Sequence, residues 1–240
     1  MEPGLRAAIG RRTLLRGTFS AGALTMLTGC DLSDSDAVQS ALHAVSAWND
    51  RVQSLLFNGH RLAMEYAAND VAKEFRYNAY YPVKDVTEID AGSYRLGLAG
   101  MIADKKPWTV QQLLALPRRT QRTRHVCVEG WSYVGQWSGF PLGDFLRQIG
   151  ADTRAAYVGF ECADGYYEGI DMATALHPQT IMAVTAGDDV LPAKFGFPLK
   201  IRIPTKLGFK NPKWVTALWV TDTQPRGFWT DRGYNWFSGT

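Results

Sequence analysis

The sequence predicts an α+β domain, strands and short helices within one compact unit, and three observations lead to it. With 240 residues, 46% of them hydrophobic and 12% aromatic, the chain is long enough for one sizeable core. Short alternating or apolar runs bounded by Gly and Pro recur along it, which is the pattern of strands. Helical periodicity is confined to a few segments set between those runs, so strands and helices mix within one unit.

Residues 1–30 read as a targeting segment ahead of that domain. Gly10-Arg11-Arg12-Thr13-Leu14-Leu15-Arg16 matches a twin-arginine export signal, and residues 17–28 form an apolar run too short to span a bilayer comfortably. Leu27-Thr28-Gly29-Cys30 reads as a lipobox, with Cys30 lipidated and Asp31 after it favouring retention at the inner membrane, facing the periplasm. Residues 31–36 are acidic and serine-containing, a solvated tether, and the domain is expected over 37–240. The twin-arginine route carries folded proteins, which suits one that acquires a cofactor before export. The formal charge of +3 comes entirely from residues 1–30, which hold Arg6, Arg11, Arg12 and Arg16 against Glu2. The remainder is neutral, so composition gives no support to nucleic-acid binding.

From Asp36, Val38, Leu42, Val45, Trp48, Val52 and Leu55 recur at spacings of three and four and predict a helix, stopped by Asn58-Gly59. That stripe reads as core packing or a docking face. Residues 94–100 alternate as a strand, and residues 109–117 read as a helix capped by Thr109 and ended by Pro117. Leu142, Phe145, Leu146 and Ile149 mark a second helix closed by Gly150, and residues 155–163 a buried strand. His43 and His60 have no metal-binding partner in sequence, and His177 in Leu176-His177-Pro178 reads as structural.

Residues 122–131 hold the stretch on which a functional reading turns, Arg124-His125-Val126-Cys127-Val128-Glu129-Gly130-Trp131-Ser132. As a strand it would put Cys127 and Glu129 on one face about 7 Å apart. A thiolate is a soft ligand for a transition metal, and Arg122, Arg124 and His125 would favour the deprotonated thiol. Cys127 is therefore the candidate metal ligand, and Glu129 is placed to line its pocket. Alone, a cysteine in a strand is more often buried filler. A second block, residues 191–215, has two extended runs joined by Gly208-Phe209-Lys210-Asn211-Pro212-Lys213. Lys200, Lys206, Lys210 and Lys213 with Gly208 could hold a phosphate; four lysines so close could equally form a solvated sheet face.

"RHVCVEGWS" followed by "GFPLGDFLRQIGA", the lysine-rich block and the closing "GFW..RGY" segment resemble the sulfite oxidase superfamily of molybdopterin enzymes. The bacterial periplasmic branch containing the catalytic subunit of protein-methionine-sulfoxide reductase is the most similar. The resemblance covers residues 76–236 and implies a sulfite-oxidase-type molybdopterin-binding domain, mixed β-sheets with flanking helices, with one molybdenum-molybdopterin per chain. It makes Cys127 the protein ligand of molybdenum, with Glu129 beside it in the catalytic pocket. Carried over residue by residue, it gives Asn78, Tyr81, Pro82, Cys162, Phe195, Lys200, Asn211, Pro212 and Lys213 as cofactor contacts. This chain departs from the family at Pro82, often an acid; at Cys162, often a small hydroxyl residue; at Lys200, usually arginine; and at Phe195, often polar.

The implied activity is oxygen-atom transfer, leading to reduction of an S-oxide such as methionine sulfoxide, with Trp131, Tyr133 and Trp137 as the substrate mouth. Sulfite oxidation is the alternative within the fold. No C-x-x-C-H haem motif, P-loop or zinc spacing occurs, so electrons are expected from a quinol-linked membrane cytochrome or a soluble periplasmic carrier. A different class stays open: a cofactor-free lipoprotein binding module with Cys127 and Cys162 joined in a disulfide.

Overall fold

The computed structural model describes residues 36–240; the expected signal segment and nearly all of the tether lie outside the described residues. Helix α1 spans Asp36–Leu56, as the periodicity predicts. Compact packing divides the chain after Trp48, the second unit being Asn49–Thr240. The stripe on α1 is not core: Leu42, Val45, Trp48 and Leu55 are all exposed. Spacing by three and four forms a helix face but does not determine what covers it. In the second unit, the Asp50 carboxylate accepts the backbone N–H groups of Trp236 and Phe237 and so ties the end of α1 to the C-terminal segment.

That unit is built on two sheets. Strands β1 (Gly97–Gly100), β9 (Val215–Thr221), β4 (Tyr157–Cys162) and β5 (Tyr167–Asp171) form the first, in the order β1-β9-β4-β5. The β1 and β9 pair is parallel and the others antiparallel, so the sheet is mixed. Strands β2 (Arg119–Val126), β3 (Ser132–Pro141), β6 (Ile181–Ala186) and β7 (Asp189–Val190) form the second, with β8 (Lys200–Arg202) also paired to β6.

Helix α2 (Val110–Ala115) starts at a reciprocal capping box between Thr109 and Gln112, each side chain bonding the other's backbone N–H. Helix α3 (Leu142–Gln148) buries Leu142, Phe145 and Leu146 against the strands, and α4 (Met172–Ala175) is capped by the Asp171 carboxylate.

The main core lies between the sheets. Val158, Phe160, Leu218 and Val220 from the first meet Met182, Val184 and Ile201 from the second, with Phe145 and Ile149 beside them. Strand β6 is buried along its whole length because its alternate residues Ile181 and Ala183 face a second cluster with Trp137 and Phe195. A two-sided central strand reads as a continuous apolar run. The second sheet is thereby clamped on both faces, which holds the tip of the β2 and β3 hairpin.

Candidate functional site

That tip carries Cys127. Strand β2 ends at Val126, paired with Ser132, so Cys127 is the first residue of the hairpin loop and not a strand residue. Its backbone N–H donates to the Trp131 carbonyl at 2.9 Å, and Gly130, which takes the left-handed φ of +85°, donates back to the Cys127 carbonyl at 3.2 Å. The turn therefore begins at the cysteine itself, and strand alternation does not relate Cys127 to Glu129.

The two residues nonetheless share a cleft of about 150 Å3. Cys127 is buried at its edge while Val128 and Glu129 beside it are exposed. The Glu129 carboxylate is fixed by the indole N–H of Trp131 at 2.7 Å. Burial, with the Glu129 charge adding to it, raises the Cys127 thiol pKa; the backbone N–H groups of Glu129 and Val128 and the charge of Arg76 pull the other way. The expected basic neighbours do not act on this thiol. Arg122 donates to Gln136 and Arg124 to Tyr66, while burial and the charges of Arg202, Lys200 and Lys213 keep His125 neutral.

Asn78, Lys200, Asn211, Pro212 and Lys213 line the same cleft as Cys127 and Glu129. Lys213 donates to the Asn78 carbonyl at 2.5 Å, and the Asn78 amide meets His125 Nε2 at 3.0 Å. An amide N–H donating there puts the imidazole proton on Nδ1, which is buried without a partner. Gly208 allows this approach: a Cβ on it would fall 2.6 Å from His125 Nε2.

The other four carried-over residues stand off the lining. Tyr81 reaches it indirectly, through a 2.9 Å hydrogen bond to the lining residue Asp164. Pro82 is exposed at the start of a 3-10 turn. Phe195 belongs to the second core, packed on Phe75 and Trp137, its apolar ring going where a polar side chain would not. Cys162 is buried at the end of β4. Cys127 and Cys162 are both free thiols, so the disulfide of the alternative reading is absent from this structure.

The lysines divide. Lys200 and Lys213 face the cleft, whereas Lys210 is consumed by Glu168 at 2.6 Å and by the Gly169 carbonyl, and Lys206 lies 3.6 Å from Asp171 with its ammonium over the Phe237 ring. Lys200, Lys206 and Lys210 are all buried, so the solvated-face reading fails too.

The expected substrate mouth is also elsewhere. Trp137 is core, Tyr133 stacks on Phe75, and Trp131 holds Glu129 beneath Arg76. The aromatic lining comes from Tyr80, Tyr166, Phe209, Trp214, Trp229 and Tyr234. Trp214 takes φ of +52°, rare for a bulky residue, directly after Lys213. Of these lining aromatics, all but Tyr166 stand in or beside segments that carry the resemblance: Tyr80 between Asn78 and Tyr81, Phe209 and Trp214 in the lysine-rich block, and Trp229 and Tyr234 in the closing "GFW..RGY" segment.

Residues 82–229 match the oxidoreductase molybdopterin binding domain. The chain belongs to that family. It is 51% identical over 230 residues to the putative protein-methionine-sulfoxide reductase subunit YedZ1 of Azospira oryzae, covering 96% of this chain and 88% of that one. It is 29% identical over 177 residues to the protein-methionine-sulfoxide reductase catalytic subunit MsrP of Burkholderia mallei, covering 64% of this chain and about half of that relative, 54%. Among solved structures, the sulfane dehydrogenase SoxCD from Paracoccus pantotrophus superposes with a TM-score of 0.54 at 21% identity, over 58% of this chain and 41% of that one. This last likeness concerns the fold, which is of the sulfite-oxidase type.

The cleft of this molybdopterin-binding oxidoreductase fits such a cofactor on its own evidence. Lys200 and Arg202 are buried and Lys213 part-buried, and none of the three forms a salt bridge among the described residues. Their partners are neutral: the Asn211 carbonyl for Lys200; the Asn211 side chain, Thr123 and the Arg124 carbonyl for Arg202; the Asn78 carbonyl for Lys213. Arg202 Nε has no partner. Burial pulls the Lys200 pKa well down, with Lys213 and Arg202 adding to it, and lowers Arg202 to about 10 and Lys213 to about 7. Cations buried without a paired counter-ion are costly, and the Asp164 charge that acts on Lys213 does not offset its burial. A bound polyanion carrying a phosphate relieves that cost at the place where a free thiol is available.

Proposed function

We propose that this protein is a periplasmic molybdenum oxidoreductase that reduces an S-oxide, methionine sulfoxide being the leading substrate. The observation that carries the reading is that the Cys127 thiol and the uncompensated Lys200 and Lys213 open onto one cleft. The family supports molybdopterin, and both named relatives are called methionine-sulfoxide reductase subunits. Among the described residues no group of three or more His, Cys, Asp or Glu side chains gathers to hold a metal; on this reading Cys127 would be the one protein residue to hold it.

When bound, thiolate-held molybdenum with its pterin dithiolene supplies two-electron oxygen-atom exchange that no side chain can perform. The chain's part is to place that chemistry. Cys127 would hold the metal, Lys200 and Lys213 would neutralise the cofactor's negative charge, and Asn78, held by His125 and Lys213, would present its amide to the heterocycle edge. Glu129, restrained by Trp131, keeps a carboxylate beside the reacting centre. Asp164, held by the Tyr81 hydroxyl, is a second acid on the wall.

Reduction of an S-oxide to a thioether and water consumes two electrons and two protons. With no haem motif in the sequence, the electrons come from another molecule, a quinol-linked membrane cytochrome or a soluble periplasmic carrier. No helix among the described residues is long and apolar enough to cross a membrane; lipidation of Cys30 would hold the enzyme at the inner membrane. The aromatic lining suits the alkyl groups of an S-oxide better than the sulfite dianion, and the cations on the cleft wall are lysines, which lack a guanidinium's bidentate fork.

Metal analysis of the purified protein tests this reading. About one molybdenum per chain, lost in Cys127→Ser, and turnover of methionine sulfoxide with an artificial electron donor are expected; turnover of sulfite alone would overturn the direction. Mass spectrometry of the N-terminal peptide, with Cys30→Ser releasing the protein from the membrane fraction, tests the anchor.

A further inference from the structure

We infer that Tyr80, Trp229 and Tyr234 form an aromatic frame that grips the alkyl and sulfur part of the substrate and selects extended methionine sulfoxide side chains over small S-oxides. This rests on the S-oxide reading above and adds to it the residues that set specificity.

The three rings line the cleft that holds Cys127. Trp229 is the middle member, its ring centroid 6.2 Å from Tyr80 and 5.3 Å from Tyr234, and Phe209 extends the series 5.7 Å beyond Tyr234. The inner wall of the cleft is buried, as Lys200 and Asn211 show, but Tyr80 is 48% and Tyr234 38% exposed. Tyr80, which stacks on Phe228 at 4.8 Å, and Tyr234 therefore stand at the open edge of the cleft within reach of a ligand, with the half-buried Trp229 between them.

Its segment is held in place before any ligand arrives. The Phe228 N–H donates to the Tyr167 carbonyl, the Tyr167 hydroxyl donates to Asp231, and Asp231 pairs with Arg226. Arg232 lies 3.6 Å over the Phe228 ring, and the Tyr234 N–H donates to the Trp229 carbonyl. Rings fixed in this way lose little freedom on binding.

The chemistry selects the ligand. An S-oxide has a sulfur of partial positive charge flanked by alkyl groups, with its negative charge on oxygen. Negative, polarizable ring faces attract the sulfur and the adjacent methyl and methylene groups, leaving the oxygen to point inward. A methionine side chain is long enough to touch several rings at once; dimethyl sulfoxide is not.

The test uses the cofactor-loaded enzyme and three variants, Trp229→Ala, Tyr234→Ala and Trp229→Phe, each checked for molybdenum content and thermal midpoint. With a peptide carrying methionine sulfoxide, Trp229→Ala and Tyr234→Ala are expected to raise KM about tenfold, with kcat changed by less than about twofold. Trp229→Phe keeps a ring and is expected within about threefold of wild type, and KM for dimethyl sulfoxide should shift by less than about threefold in every variant. Calorimetric binding of the non-reducible methionine sulfone should weaken about tenfold in parallel. If Trp229→Ala does not fold, Tyr234→Ala and Trp229→Phe carry the comparison. Unchanged KM and sulfone affinity in loaded variants that still reduce S-oxides would overturn the frame alone, as would equal changes for both substrates. A wild-type enzyme that turns over sulfite and neither S-oxide would overturn the functional reading and the frame with it.

Discussion

Lys210 and Lys213 lie three residues apart, and the fold neutralises the first and leaves the second open. Lys210 meets the fully buried Glu168 at 2.6 Å and the Gly169 carbonyl at 2.6 Å. Lys213 donates to the Asn78 carbonyl and lies over the Tyr77 and Trp214 rings; the Asp164 charge raises its pKa without pairing with it, and burial still carries it down to about 7. Lys206 and Lys200 repeat the contrast, Asp171 standing 3.6 Å from one and a backbone carbonyl from the other. A buried cation with its own counter-ion is structure; one without is a request for an anion from outside. The cleft with Cys127 is where those requests converge.

The largest effect is expected where the internal pair is broken. Lys210→Met leaves the Glu168 carboxylate buried without its cation, and Glu168→Gln does the converse, each costing about 3–5 kcal/mol in denaturant unfolding. Molybdenum per folded chain should stay unchanged. Loss of metal from correctly folded Lys210→Met would mean that this lysine also serves the cofactor, and the contrast would fail.

Next comes Lys213→Met. Removing an uncompensated cation should leave the cofactor-free protein within about 1 kcal/mol of wild type, while cofactor affinity drops about tenfold, or about 1.4 kcal/mol. Competition for limiting cofactor, read as molybdenum per chain, measures it. A cofactor-free variant far less stable than wild type would put Lys213 with the structural lysines.

The same contrast appears in pH dependence. Lys213 has a folded-state pKa of about 7 against 10.5 for a free lysine. Between those values the unfolded chain holds a proton that the folded chain has shed, so stability of the cofactor-free protein rises as pH increases from about 7 to about 10. Lys206, also lowered to about 7, adds the same slope to both forms. A bound anion raises the Lys213 pKa again, so the loaded enzyme should show the smaller slope, and Lys213→Met should shrink the difference to the part that Lys200 carries. Equal slopes in loaded and cofactor-free wild type would count against an anion at Lys213.

How much of this was readable in the sequence follows from what each residue's placement depends on. The helices capped by Thr109 and closed by Gly150 depend on local chemistry and stand where their residues predict. Cys127 could be singled out as the candidate ligand from the residues around it but not recognised as a loop residue, because the hairpin register, with Val126 opposite Ser132, is a long-range property. The lysines read as one cluster since sequence spacing does not reveal that Glu168 and Asp171, some forty residues back, claim two of them. Trp137 was misplaced because an aromatic ring on a strand can face either side, and β6 offers a core on both; Phe195 ends a 3-10 turn, Ala193–Phe195, that delivers its ring to the second of those cores.

Glu129 supplies the smallest and sharpest test. It is an anion at the cleft whose carboxylate the fold restrains through a neutral donor, the Trp131 indole at 2.7 Å, so it belongs neither with Lys210 nor with Lys213. Trp131→Phe removes that donor while keeping a ring to stack on Tyr133 and to lie under Arg76. One exposed hydrogen bond is worth about 1 kcal/mol or less, and molybdenum content should not change, because neither Cys127 nor the cleft lysines are touched. Activity is expected to fall several-fold through kcat with KM little altered, since a freed carboxylate spends only part of its time beside the reacting centre. Loss of metal in Trp131→Phe would instead assign Glu129 to holding the cofactor, and unchanged kcat would show that its restraint has no bearing on turnover.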